Sequence, residues 1–199
     1  MKKRELTSQQ LIEAAFELFV EFGLEKTSLG MIAQKVGITK PSIYYHFSTK
    51  EELISQAFDY IFKDHYFKSY FQIEEVTLHN FAQCLYQGGL NMLPDPDKSH
   101  NAVLRVLNEF ATLAEREEMY RARLSAIQQD FLTGFQQLLS MGFELGAVPS
   151  GNLAYKAHLL ALSIDGISRC KLMGIGMDYE GVWKEAVNSV LKQDFIIQV

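Results

Sequence analysis

The sequence predicts an all-α protein: an N-terminal three-helix domain with a helix-turn-helix, joined by a fourth helix to a larger helical domain. Three observations predict it. Only four prolines occur in 199 residues. No stretch alternates apolar and polar residues between hairpin turns, as a half-buried sheet would require. Apolar residues instead recur at steps of three and four along most of the chain. A hydrophobic fraction of 48% is enough for a sizeable core.

The elements follow in order. A first helix opens at Thr7, with Gln10 at the capping-box position, and turns Ile12, Ala15, Phe16, Phe19 and Phe22 to one side before Gly23. A second starts near Thr27 or Ser28, buries Ile32, Ala33 and Val36, and stops at Gly37. A third follows within two residues and carries Lys40, Pro41 and Ser42 at its start and Tyr44, Tyr45 and His46 at its end. A fourth begins at Ser48, with Glu51 three residues on, and continues through Leu53, Ile54, Phe58 and Ile61. Longer helices are expected over 77–91, 99–114, 117–145, 152–173 and 179–192, separated by Pro94-Asp95-Pro96, the Gly146–Gly151 loop, and Gly174 with Gly176. In the 117–145 helix, Tyr120, Leu124, Ile127, Phe131, Phe135 and Leu138 form one face, and Leu132, Leu139 and Phe143 suggest a second buried side.

Charge and composition narrow the function. The net charge is −5, but residues 1–50 hold seven Lys/Arg against five Asp/Glu while the remainder holds twelve against nineteen. Between residues 26 and 50 stand Lys26, Lys35, Lys40 and Lys50 and no carboxylate, a basic window on an acidic body. Cys84 and Cys170 lie far apart, so neither a disulfide framework nor a zinc site is expected. No apolar signal core follows the N-terminus and no apolar run approaches the ~20 residues of a membrane span, so a cytoplasmic protein is expected. The five histidines show no metal-ligand spacing, there is no GxSxG or P-loop, and adjacent Asp64 and His65 would point apart on a helix. An enzyme, a metal and a cofactor are therefore not expected.

The turn between the second and third helices is short enough to force a steep crossing, the geometry that lays a second helix in the DNA major groove. Pro41 suits a first helical turn, where its missing N–H costs little. Lys40 and Ser42 occupy the end that meets base edges, and the polar tips of Tyr44, Tyr45 and His46 suit the phosphate backbone. Ile43 and Phe47, four apart, face inward. Lys50 adds an ammonium to a helix N-terminus, a favourable place for phosphate.

The stretch TSLGMIAQKVGITKPSIYYHF (27–47), followed by KEEL (50–53), resembles the TetR/AcrR family of bacterial transcriptional regulators over about the first 55–60 residues. The resemblance implies a DNA-binding domain over 1–55 and a helical effector-binding and dimerisation domain over 56–199. It implies DNA contacts from Thr27, Ser28, Thr39, Lys40, Pro41, Ser42, Tyr44, Tyr45, His46 and Lys50, with Thr27 holding a phosphate. Gly30 stands where many members carry Arg, which implies narrower direct readout and more dependence on DNA shape. It further implies a homodimer formed by the last two helices. There Leu153, Ala157, Leu160, Ile164 and Ile167 make one face and Leu159, Leu162, Gly166 and Cys170 another. Fourteen phenylalanines and seven methionines favour a largely apolar effector, with Phe110, Phe131, Phe135, His158 and Asp165 as candidate contacts. Asp165, within an apolar helix, needs a partner: Arg169, a second subunit or a ligand cation. The expected function is a ligand-responsive repressor on a pseudo-palindromic operator. An activator, or a helical carrier or interaction module with a degenerate reading head, stands as the alternative.

Overall fold

A computed structural model describes residues 2–95 and 100–198, with the side chains of 7–95 and 101–198. Nine α-helices and no strand occur among these residues: α1 (Lys2–Phe22), α2 (Leu29–Val36), α3 (Lys40–Ile43), α4 (Lys50–Phe62), α5 (Phe81–Met92), α6 (His100–Ala114), α7 (Glu118–Leu145), α8 (Leu153–Leu172) and α9 (Tyr179–Asn188). Short 3₁₀ turns sit at 67–69, 73–75 and 193–195. No helix among the described residues is long and apolar enough to cross a membrane.

Several boundaries differ from the sequence expectation. The first helix begins at Lys2, not Thr7. Lys2, Lys3 and Arg4 are good helix formers, and this propensity extends the helix past the internal Thr7–Gln10 pair. The fourth helix is capped by Thr49, whose side chain accepts from Glu52 N at 3.0 Å, and Glu52 accepts in turn from Ser48 N at 2.6 Å. The capping pair is thus Thr49 with Glu52, one residue later than Ser48 with Glu51. The helix expected from Thr77 starts at Phe81 because Asn80 Oδ1 accepts from both N and Oγ1 of Thr77, closing a turn instead. The last helix stops at Asn188, and Lys192 N donates to Ala147 O rather than continuing it. Phe143 is 47% exposed, so the second side of α7 is only partly buried. Pro96 and Ser99, at an expected end and an expected start, lie outside the described residues.

The chain forms two compact units, residues 1–64 with 99–121 and residues 65–98 with 122–199. The first holds α1–α4, α6 and the first residues of α7. Its centre is Leu11, Ala15, Phe19, Ile32, Ile43, Phe47 and Leu53, all essentially inaccessible. Phe58 and Phe62 of α4 meet Phe110 of α6 edge-on at 4.8 and 5.8 Å, and Tyr120 closes the cluster. Such pairs contribute about 0.5–1.5 kcal/mol each beyond area burial.

The second unit packs α5, α8, α9 and most of α7. Four of its rings rest on glycines: Phe71 on Gly88, Trp183 on Gly89, Phe67 on Gly134 and Phe81 on Gly142. A Cβ at any of these positions would stand 2.1–2.2 Å from a ring carbon, so glycine is what lets the rings reach the helix backbones. On α8, Ala157, Leu160, Ile164 and Ile167 are buried, while Tyr155, Leu159 and Leu162, with Met173 just past its end, are exposed.

Candidate nucleic-acid interface

The reading head lies wholly within the first unit. Its entry is the turn between α1 and α2, which Gly23 opens in the left-handed region at φ 86. Two side chains hold this turn. Thr27 Oγ1 donates to Gly23 O at 2.7 Å and to Leu18 O at 3.2 Å. Glu109 Oε2, on α6, accepts from Leu24 N at 2.6 Å. Thr27 is fully buried, so it does not offer its hydroxyl to a phosphate; that expectation is corrected. The exposed hydroxyl at the start of α2 is Ser28, which caps the helix by accepting from Met31 N at 3.2 Å.

Leu29, Ile32 and Ala33 anchor α2, and Gly37 ends it at φ 78 with its N–H on the carbonyls of Ala33 and Gln34. Ile38 N also donates to Ala33 O at 3.0 Å, so the chain reverses within three residues. Thr39 caps α3, and its hydroxyl pairs with that of Ser42 at 2.8 Å. Beyond Ile43 the helix tightens: Tyr44, Tyr45 and His46 N–H groups bond three residues back to Pro41, Ser42 and Ile43. That tightening keeps Ile43 and Phe47 buried at 1% exposure while Tyr44 and Tyr45 project at 52% and 77%.

Thr39, Lys40 and Pro41 are exposed, and Ser42, His46 and Lys50 are half-buried. Ser28, Thr39, Lys40, Pro41, Ser42, Tyr44, Tyr45, His46 and Lys50 thus surround one short helix and the N-terminal ends of its two neighbours. The His46 ring is held from α1, with Ser8 Oγ 2.9 Å from its Nδ1. Lys35 serves elsewhere. Its ammonium pairs with Glu17 on α1 at 2.8 Å, and that hydrogen bond raises its pKa. The basic window therefore contributes Lys26, Lys40 and Lys50. At the α4 terminus the Ser48 and Glu52 N–H groups are already taken by side chains, so the offer to an anion there rests mainly on the Lys50 ammonium.

Two supports escaped sequence reasoning. Ser8 lies 38 residues from His46, and Glu109 lies 85 from Leu24, and neither carries a local motif. The five candidate effector contacts do not converge. Phe110 belongs to the ring cluster of the first unit, and Phe131 and Phe135 to the packed rings of the second. His158 is exposed on α8, and Asp165 pairs with Arg169 at 2.5 Å.

Two helices joined by a three-residue turn, a left-handed glycine within it and an exposed polar second helix define a helix-turn-helix. Residues 11–57 match the family model for bacterial regulatory proteins of the tetR family. The similarity to that family thus runs from within α1 to within α4. The regulator AcrR of Shigella flexneri is 40% identical over 53 residues, 27% of this chain and 25% of that protein. The match therefore spans about a quarter of the length of the curated relatives. Among solved structures, a TetR transcription regulator from Haloarcula marismortui superposes with a TM-score of 0.78 at 15% identity, covering 96% of this chain and all of that one. SmeT of Stenotrophomonas maltophilia, the repressor of the efflux pump SmeDEF, superposes in its triclosan complex with a TM-score of 0.75 at 17% identity, covering 96% and 95% of the two chains. At these identities the superpositions show the shared fold.

Proposed function

We propose that this chain is a cytoplasmic, non-enzymatic transcriptional repressor that binds a pseudo-palindromic operator as a homodimer and leaves it when a small effector binds. The division of labour is residues 1–55 for DNA and 56–199 for effector and dimer. One observation carries the reading. An exposed Thr39–Lys40–Pro41 start and the projecting Tyr44 and Tyr45 share a helix whose opposite side, Ile43 and Phe47, is buried. Core packing thus aims the polar groups outward, as a groove-reading helix needs. Lys40 and Ser42 would meet base edges, Tyr44, Tyr45 and His46 the sugar-phosphate backbone, and Lys50 a phosphate.

The exposed apolar residues Tyr155, Leu159 and Leu162 on α8, Met173 at its C-cap and Val182 on α9 support the homodimer. Paired with a second copy they would bury a four-helix bundle and set two reading heads about 34 Å apart, one DNA turn. A small effector is supported by the fold, since SmeT holds triclosan. An effector acts only through a difference in affinity between the DNA-competent and DNA-incompetent states.

The test is selection of bound sequences from genomic fragments at near-physiological salt, followed by titration of the best one. A palindromic consensus preferred by at least about 10³ over random DNA is the expected result. Binding that is weak and indifferent to sequence would refute it.

A further inference from the structure

The second unit has a cleft of about 190 Å³ that none of the candidate effector residues lines. On α5, Cys84, Gln87, Gly88 and Asn91 fall at i, i+3, i+4 and i+7 and form one wall. The segment before α5 forms the opposite wall with Tyr70, Phe71, Glu75 and Val76, and Leu138 of α7 contributes apolar surface. We propose that this cleft binds a small organic cation: an ammonium head at Glu75 and a flat apolar body against Phe71, Val76 and Leu138. This deepens the effector reading above and rests on it for the regulatory role, while the binding chemistry stands on the cleft alone.

The first argument is space. An apolar guest in the centre of the unit would have to displace the chain's own rings, because Phe71 and Phe67 already rest directly on Gly88 and Gly134. The cleft is the open volume beside that packing and reaches it at Phe71 and Gly88. Its size lies below the ~300–1,000 Å³ of sites for drug-sized ligands, so one ring with a compact head is the matching scale.

The second argument is charge. Among the described residues, Glu75 is the only acidic side chain of the lining, and no Lys, Arg or His takes part. Gln72, Gln87 and Asn91 add carboxamide carbonyls, and Tyr70 and Phe71 add ring surface. A carboxylate, amide oxygens and aromatic rings together attract a cation and repel an anion. Cys84 does not add a competing thiolate: burial, aided by Glu75, pushes its thiol pKa up.

The third argument is preorganisation. Asn80 does not wait for a ligand; its Nδ2 donates to Glu75 O at 3.0 Å while its Oδ1 holds Thr77. The backbone carrying the carboxylate is therefore fixed before binding, which lowers the cost of binding. On the inner side, Phe71 stacks on Phe67 at 4.3 Å, and Phe67 N donates to Asp130 of α7 at 2.7 Å. Pressure on Phe71 is thus felt at α7.

The experiment is calorimetric titration of the full chain with benzyltrimethylammonium, benzyl alcohol and phenylacetate. The cation should bind saturably at one site per chain, at least about tenfold tighter than the alcohol, with no binding of the anion. Glu75 is exposed on a short turn, so Glu75→Gln and Glu75→Lys should keep the helical signal. They should weaken the cation at least about tenfold and abolish its binding, respectively. Cys84→Tyr should fill the cleft and block both the cation and the alcohol; if it fails to fold, Glu75→Lys still decides.

Equal binding of the three probes, an unchanged cation affinity in Glu75→Lys, or no heat up to about 10 mM would overturn the proposal. Operator binding is measured separately on the same proteins. Cation binding without operator selection upholds the site and removes its regulatory role. Operator selection without cation binding removes the site and leaves the regulator.

Discussion

Lys40 and Lys50 open α3 and α4 of the same reading head, yet they should fail differently when cut back to alanine. On the proposed reading Lys50 would address a phosphate, so Lys50→Ala should weaken all DNA sequences alike and reduce the slope of log affinity against log salt by about 1. Lys40→Ala, at a residue proposed to meet base edges, should relax preference at one operator position at a cost of about 1–3 kcal/mol. Salt titrations on operator and random duplexes separate the two. A third residue-scale prediction concerns Tyr70, whose burial pushes its phenol up to about 12 while its hydroxyl lies 2.8 Å from His65 Nδ1. Because the fold favours the neutral phenol, its contribution to stability is complete below about 10 and is lost as pH rises from about 10 to about 12. Tyr70→Phe should remove that decline in urea midpoints. At this scale the sequence disclosed residue types and local spacing well, including the outward Tyr44 and Tyr45 and the inward Ile43 and Phe47. It did not disclose that Thr27 turns its hydroxyl inward, because burial of a threonine depends on Leu18 and on the whole α1–α2 turn.

Two glycines of the head predict opposite outcomes at the scale of the element. Gly30 lies inside α2, and an added Cβ would find only Ser28 Oγ at 3.6 Å. Gly30→Ala should therefore stabilise the chain by about 0.5–1 kcal/mol, from helix propensity alone. Gly37 has equally open surroundings but sits at φ 78, and Gly37→Ala should destabilise by about 1 kcal/mol or more through backbone strain. Chemical denaturation of both variants checks the pair. Helix existence and type were legible because apolar spacing persists over several turns. Ends were less so. Thr49 displaced Ser48 as the cap, and Asn80 folded Thr77 into a turn, through single hydrogen bonds for which neighbouring residues of the same type compete.

For the molecule as a whole, the exposed side of α8 carries the clearest expectation. Leu162, 64% exposed, lies among the apolar residues proposed to form a homodimer, so on that reading Leu162→Glu should yield a monomer by light scattering. Operator affinity should fall with it, since one head loses the partner that sets the spacing. The two apolar faces of α8 were legible from periodicity, but not which of them the protomer buries. The company of α6 with the first unit was not, since its Phe110 and Glu109 reach Phe58 and Leu24 from far along the chain. Nor was the filling of the second unit by rings on glycines, which depends on tertiary approach and leaves no mark in local spacing.

Trp183 gives that packing an optical consequence. It is the only indole in the chain, it is fully buried, and its Nε1 donates to Tyr86 O at 2.8 Å. Emission excited selectively in the indole, beyond the absorption of the nine tyrosines, consequently reports on the second unit alone. DNA added to the head should quench or shift that light only if the event is relayed across the chain. The protein thus carries its own one-sided beacon for communication between its halves.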